Sequence, residues 1–255
     1  MRQQFPETAD RIELAKMDAQ TLRAYEMEVQ TRAASIQAVE RRIWQVKDTV
    51  VSRFENLLPD FNPATVTIYL TVSRFRFDGK IPHEQPNSLL LGLDGLVKFH
   101  GENAPVEVIL SHELFHVYHW RVNPPLADVE RLPLYRQVWQ EGLAIYVSGL
   151  LNPTASLGEI LLDPRLASDG DHWVKAISRD LLINLEATEE PTTAVYLSYQ
   201  ARGIIPSRMG YLVGYEIVRS LAQQRSLSDL IHMRDPELRF TCRRELRKLA
   251  FGPQE

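Results

Sequence analysis

The run Val106-Glu107-Val108-Ile109-Leu110-Ser111-His112-Glu113-Leu114-Phe115-His116-Val117-Tyr118-His119-Trp120 organises the rest of this chain. A helix opens near Asn103 or Ala104 with Pro105 in its first turn, where a missing N–H costs no hydrogen bond. Asn123-Pro124-Pro125 closes it. Residues four apart on a helix lie about 40° apart around the axis and about 6 Å along it. His112 and His116 therefore project the same way, and their ring nitrogens are placed to grip one ion. His119 shares that face but stands seven residues from His112, about 10.5 Å along the axis, which is too far for the same ion. It is expected to line a cleft, touch a substrate or stand behind the ligands.

Zinc accepts imidazole nitrogens at about 2.0–2.1 Å. Glu113 follows the first histidine, so it sits beside such an ion rather than on it, where it can take a proton from a metal-activated water. Two histidines and a glutamate also meet on helices by accident. Here the flanking apolar residues read as buried, and histidines in such surroundings need partners. The expected third ligand is Glu141, in Val138-Trp139-Gln140-Glu141-Gly142-Leu143-Ala144-Ile145-Tyr146. It begins the next apolar helical run, and the small Gly142 and Ala144 let that helix pack closely enough to deliver a carboxylate. Two His and one Glu leave a fourth position open, as a catalytic zinc site requires. The reading is one Zn2+ per chain.

Upstream, residues 10–58 read as helix, with Ile36, Val39, Ile43, Val46, Val50, Phe54 and Leu57 recurring every three or four positions. Residues 1–60 form an N-terminal helical hairpin or extension, and 61–255 the main domain. Ala64 to Ser73 alternates Val66, Ile68, Leu70 and Val72 with Thr65, Thr67, Tyr69 and Thr71, a strand of period two. Arg74 to Phe77 can prolong it. Asp78-Gly79 reads as a turn, Leu89–Leu93 as a second strand, Asp94-Gly95 as another turn, and Leu96 to Phe99 continues beyond. Downstream, helices are expected at Leu134–Leu151, His172–Leu185, Ser207–Gln224 and Ser226–Ala250. The fold class is α+β, mostly helical, with a small sheet at about 64–99, metal-site helices at about 104–151 and a helical C-terminal part at 152–255.

The 255 residues suffice for a substantial core. A formal net charge of −4 gives no global basic field, so nucleic acid is not the expected partner. Arg239, Arg243, Arg244, Arg247 and Lys248 gather on a C-terminal helix and read as a solvated face. Cys242 is the one cysteine, which excludes an intrachain disulfide and a cysteine-based metal site. No stretch approaches the roughly 18 apolar residues of a transmembrane segment. Met1 to Pro6 lacks a signal-peptide run, which predicts a cytoplasmic location, or a periplasmic or secreted one if a leader has been removed. The sequence carries no feature that sets an oligomeric state.

Glu-Gly-Leu-Ala-x-Tyr after the motif and the later Gly-Tyr-Leu-Val-Gly-Tyr resemble a bacterial family of predicted zinc-dependent proteases, and the chain as a whole looks like a gluzincin metallopeptidase. The resemblance spans about residues 60–225. It implies a zincin-like fold with the sheet above the His-Glu-x-x-His helix, His112, His116 and Glu141 as ligands, Glu113 as base, and a peptide or protein substrate. It also implies an extended substrate paired with an edge strand above the metal, for which Leu89–Leu93 is the candidate. Thermolysin-like gluzincins carry an Asp four residues after the third ligand; here that position is Ile145, so another group must orient the zinc histidine.

Amide hydrolysis builds negative charge on the carbonyl oxygen, which a hydrogen-bond donor must share. Pro206-Ser207-Arg208-Met209-Gly210-Tyr211-Leu212-Val213-Gly214-Tyr215 offers Tyr211 or Tyr215 as that donor, with Arg208 gripping a substrate carbonyl or carboxylate. The same stretch also reads as a tightly packed core helix whose glycines admit a neighbour. Rival functions on the same residues are a non-catalytic, zinc-containing binding protein and a hydrolase of non-peptide amides.

Overall fold

The computed structural model describes residues 19–82, 84–124, 132–199 and 206–252, so the helical reading of residues 10–18 lies outside the described residues. Helices α1 (Ala19–Thr31) and α2 (Ala33–Leu57) are joined through the single residue Arg32. Backbone hydrogen bonds run across that junction, from Arg32 N to the Glu28 carbonyl and from Ile36 N to the Arg32 carbonyl, so 19–57 is an extended helical arm. Val39, Ile43, Val50 and Phe54 form the buried stripe of α2, as the period of the sequence requires.

Three short strands follow: β1 (Thr67–Thr71), β2 (Gly79–Lys80) and β3 (Ser88–Gly92). Their order is β1-β3-β2, with β1 parallel to β3 and β2 antiparallel to it. The 88–92 strand is therefore central and paired on both sides, which corrects its assignment as the edge strand. The edge beside the motif helix is β2, which begins at Gly79 of the Asp78-Gly79 dipeptide that reads as a turn in isolation.

Asp94-Gly95 is not a turn. It lies in the first turn of α3 (Leu93–His100), with Asp94 fully buried. Its carboxylate accepts from Ser73 N at 2.5 Å, Ser73 Oγ at 3.0 Å and Phe75 N at 2.8 Å, with the Tyr25 hydroxyl at 3.2 Å. These bonds fix a loop in which Arg74 and Phe75 hold positive φ angles, and that loop delivers the chain to β2.

The motif helix is α4 (Val106–Val122), and α5 (Leu134–Leu151) coincides with its predicted span. After the short α6 (Leu157–Ile160) comes α7 (Pro164–Ile183), which starts earlier than predicted because Asp163 caps it and Pro164 occupies its first turn. The chain continues through α8 (Glu190–Leu197) and α9 (Met209–Leu221). The predicted Ser226–Ala250 helix is two helices, α10 (Leu227–Ile231) and α11 (Glu237–Phe251). Pro236 separates them, having no N–H to continue a helix. The whole is a mostly helical α+β fold with a small three-stranded sheet and a helical C-terminal region. Its core runs through α4, α5 and α9 and includes Phe115, Trp139, Leu143 and Val213.

The basic cluster of α11 is tied down locally: Arg239 and Arg243 pair with Glu186, and Arg244 and Lys248 with the buried Glu245. Cys242 is buried, and burial pushes its thiol well above the ordinary range. Among the described residues no helix is long and apolar enough to cross a membrane.

Candidate metal centre

His112 and His116 stand one turn apart on α4, and Glu141 comes from α5, packed against it. The Nε2 atoms of the histidines are 3.0 Å apart, and Glu141 Oε2 lies 3.2 Å from His112 Nε2 and 3.3 Å from His116 Nε2. Ligands on a tetrahedral zinc at 2.0–2.1 Å are separated by about 3.3 Å, the edge of that tetrahedron. The observed triangle has that edge. Two imidazole nitrogens aimed at each other and at a carboxylate oxygen cannot all be satisfied by one proton, whereas one divalent cation satisfies all three. The residues present fit a metal ion, and the His112, His116 and Glu141 cluster is capable of coordinating one.

The charges within the set follow from this proximity. Burial lowers the His112 pKa. His116 is also disfavoured as a cation by burial, but the facing Glu141 carboxylate outweighs this and raises its pKa. Burial works against the Glu141 anion too, yet the two imidazoles hold its carboxyl well below the usual range. His112 Nδ1 is buried and has no hydrogen-bond partner among the described residues. Ile145, at the position where an orienting acid stands in thermolysin-like enzymes, is buried and apolar.

Glu113 lines the same cavity of about 280 Å3, together with Asp78, Gly79, Lys80, Gln140 and Tyr211. Burial raises its carboxyl above the ordinary carboxylate range, opposed by the neighbouring His116. Its carboxyl group lies directly against β2: a Cβ built on Gly79 would stand 2.1 Å from Glu113 Cδ and 2.3 and 2.5 Å from its oxygens. Only glycine at position 79 leaves room for Glu113 in this pose.

A second close approach lies beside Glu141. A Cβ on Gly142 would fall 2.1 Å from the Gly214 carbonyl carbon, and one on Gly214 would fall 2.2 Å from the Val138 carbonyl oxygen. Helices α5 and α9 thus touch backbone to backbone one residue from Glu141 and three residues from Tyr211. Gly210 faces a different helix, meeting Tyr196 and Leu197 of α8, so the two glycines of α9 serve two neighbours rather than one stripe.

Tyr211 reaches the cavity, its ring stacked near-parallel to that of His112 at 6.3 Å and 15°. Burial and the nearby Glu141 charge raise its phenol well above the ordinary value. Tyr215 is not among the residues lining the cavity; it is half-buried one turn further on, with the Arg219 guanidinium 5.9 Å from its ring. Arg208 is buried behind Tyr211 rather than in the cavity lining. Its guanidinium lies 4.0 Å from the Tyr211 ring centre and 4.6 Å from that of Tyr199. His119 stands outside the ligand cluster. It borders the cavity but is only 3% exposed, stacked on Phe115 with Nε2 3.2 Å from the Ile231 carbonyl, and burial lowers its pKa to about 3.

The residues that reading the sequence missed are Asp78, Gly79, His100 and Tyr199. Asp78 Oδ2 meets His100 Nε2 at 2.7 Å and accepts from the Tyr199 hydroxyl at 2.7 Å, while its Oδ1 accepts from Gly79 N at 2.9 Å. The one signal available was the Asp78-Gly79 dipeptide, and it pointed to a turn.

Comparison with known proteins bears on the same region. No curated protein and no solved structure matches the chain significantly. The family described as "Predicted Zn-dependent protease (DUF2268)" matches residues 52–237, a span that holds the ligand cluster, Glu113, β2 and Tyr211. With that much of its length matched, and a His-His-Glu cluster fit for a metal inside the match, the chain belongs to this family of predicted zinc-dependent proteases.

Proposed function

We propose that the protein is a gluzincin-type zinc peptidase with one Zn2+ per chain held by His112, His116 and Glu141. The observation that carries this reading is the 3.0–3.3 Å triangle of ligand atoms with Glu113 beside it in one cavity. The catalytic unit would be residues 61–255, with residues 1–60, including the helices of 19–57, as an N-terminal extension. Zinc, when bound, supplies an electrophile that acidifies water and polarises a carbonyl. Glu113 accepts the proton of the attacking water and returns it to the leaving amine nitrogen. Tyr211 donates a hydrogen bond to the carbonyl oxygen as negative charge develops there. An extended peptide adds to the open edge of β2 by main-chain pairing, which holds the scissile bond over the ligand cluster.

The test is hydrolysis of a denatured protein by zinc-loaded wild type and by Glu113→Gln. The wild type should cut it. The variant should retain one zinc and lose at least about 100-fold in rate. An unchanged rate in the variant overturns the role of Glu113. Wild type that binds the denatured protein without cutting it would point to a non-catalytic binding protein, and cleavage of simple amides alone to a non-peptide hydrolase.

A further inference from the structure

Arg208 is a buried cation at an unusual place. It precedes α9 in the left-handed region, with φ 58° and ψ 24°, a conformation that costs a non-glycine residue energy and persists only where its surroundings enforce it. Its Nη1 makes long bonds of 3.3 and 3.4 Å to the carbonyls of Leu161 and Leu162, and its buried Nε has no hydrogen-bond partner among the described residues. The guanidinium also lies within cation–π range of the rings of both Tyr199 and Tyr211.

Those two rings lead to different residues of the cavity lining. Tyr211 extends toward the ligand cluster and stacks on His112. Tyr199 donates to Asp78, which accepts from Gly79 N, and Gly79 is the residue against which Glu113 rests. The backbone closes the same arc, with Arg208 N donating to the Ser198 carbonyl and Tyr211 N to the Arg208 carbonyl. One chain of contacts, Tyr211–Arg208–Tyr199–Asp78–Gly79, therefore runs from the oxyanion donor to the strand that carries the substrate.

We propose that Arg208 is a positioning residue, a clamp that fixes the Tyr211 phenol relative to the ligand cluster and couples it to β2 through Tyr199 and Asp78. It does not grip substrate itself. This rests on the role proposed for Tyr211. A displacement of about 1 Å in a donor aimed at developing charge is enough to cost rate by an order of magnitude or more. The Arg208 cation beside the phenol also favours its hydrogen bond to an oxyanion.

The experiment is a cycle of Arg208→Met, Tyr211→Phe and the double variant, with zinc-loaded full-length protein. Arg208→Met should lower kcat about tenfold or more while KM and zinc content stay at wild-type values. Arg208→Lys should recover part of the loss. In the Tyr211→Phe background, Arg208→Met should change kcat by less than about twofold, because the two act as one unit. Additive losses, or a rise in KM with kcat unchanged, would overturn the proposal, the second outcome in favour of a direct substrate contact. A crystal structure of Arg208→Met gives a readout that needs no activity: the Tyr211 ring should leave its place beside His112, and an unmoved ring contradicts the clamp. If zinc-loaded wild type cuts nothing, the peptidase reading fails, and this structure still decides the clamp.

Discussion

Gly142 and Gly214 meet so closely that a methyl group on either would lie about 2 Å from the other helix's backbone. This contact sets how near α5 approaches α9, and so where Glu141 and Tyr211 stand. Backbone cannot yield as a side chain does. Gly142→Ala is expected to destabilise the protein by about 1–3 kcal/mol or more through overpacking, and to weaken zinc binding by moving Glu141. Urea unfolding and zinc titration measure both. Wild-type stability in Gly142→Ala would show that the helices are free to separate.

Gly79→Ala should behave differently. The atoms its methyl would strike are the carboxyl group of Glu113, the far end of a flexible side chain, which can turn away at little cost. The expected outcome is near-wild-type stability and zinc content with hydrolysis strongly reduced. A fully active Gly79→Ala protein would mean that Glu113 does not work from this pose.

Asp94 anchors the loop that carries the chain into β2. Its carboxylate serves two backbone N–H groups and the Ser73 hydroxyl, all in the interior. Asp94→Ala leaves those donors unsatisfied and should cost about 2–4 kcal/mol, whereas Asp94→Asn keeps one acceptor oxygen and should cost less. Chemical denaturation of the two variants checks the order, and equal losses would argue against the hydrogen-bond account.

His119 predicts an acid sensitivity. Burial is the main cause of its lowered pKa of about 3, with the charges of His116, Arg136 and His232 acting in the same direction and the Ile231 carbonyl opposing them. Its folded pKa is below its unfolded value of about 6.5, so below that value the unfolded chain binds a proton that the folded protein refuses. Stability contributed by the neutral imidazole is present above about pH 6.5 and is lost as pH falls toward 3, at up to about 1.4 kcal/mol per pH unit. His119→Gln, which retains a donor for Ile231, should flatten the stability profile between pH 6.5 and 4. The same slope in the variant and the wild type would assign the acid sensitivity elsewhere.

Helices α4 and α5 were legible because each is a long apolar run bounded by proline, and because the spacing of His112 and His116 carries its own geometry. Glu141 was legible through its small neighbours Gly142 and Ala144. The sheet order was not, since β2 has only two residues and begins within an Asp78-Gly79 pair that is locally indistinguishable from a turn. Its identity as an edge strand is conferred by pairing with Leu90 and Leu91. Asp94-Gly95 misled for the same reason: a turn-forming dipeptide also suits the first turn of a helix, and only the distant Ser73 and Phe75 decide between them. Tyr199 and His100 obey no local pattern. They matter because the fold brings residues 100 and 199 to Asp78, and one sequence contains no record of that meeting.

Zinc held jointly by His112, His116 and Glu141 is tested most directly by metal content. Purified protein equilibrated with zinc and freed of excess should carry one zinc per chain, and the His112→Ala, His116→Ala and Glu141→Ala variants, folded by circular dichroism, should each carry close to none. A folded wild-type protein that retains no zinc, or a Glu141→Ala variant that binds it as tightly as wild type, would contradict the account.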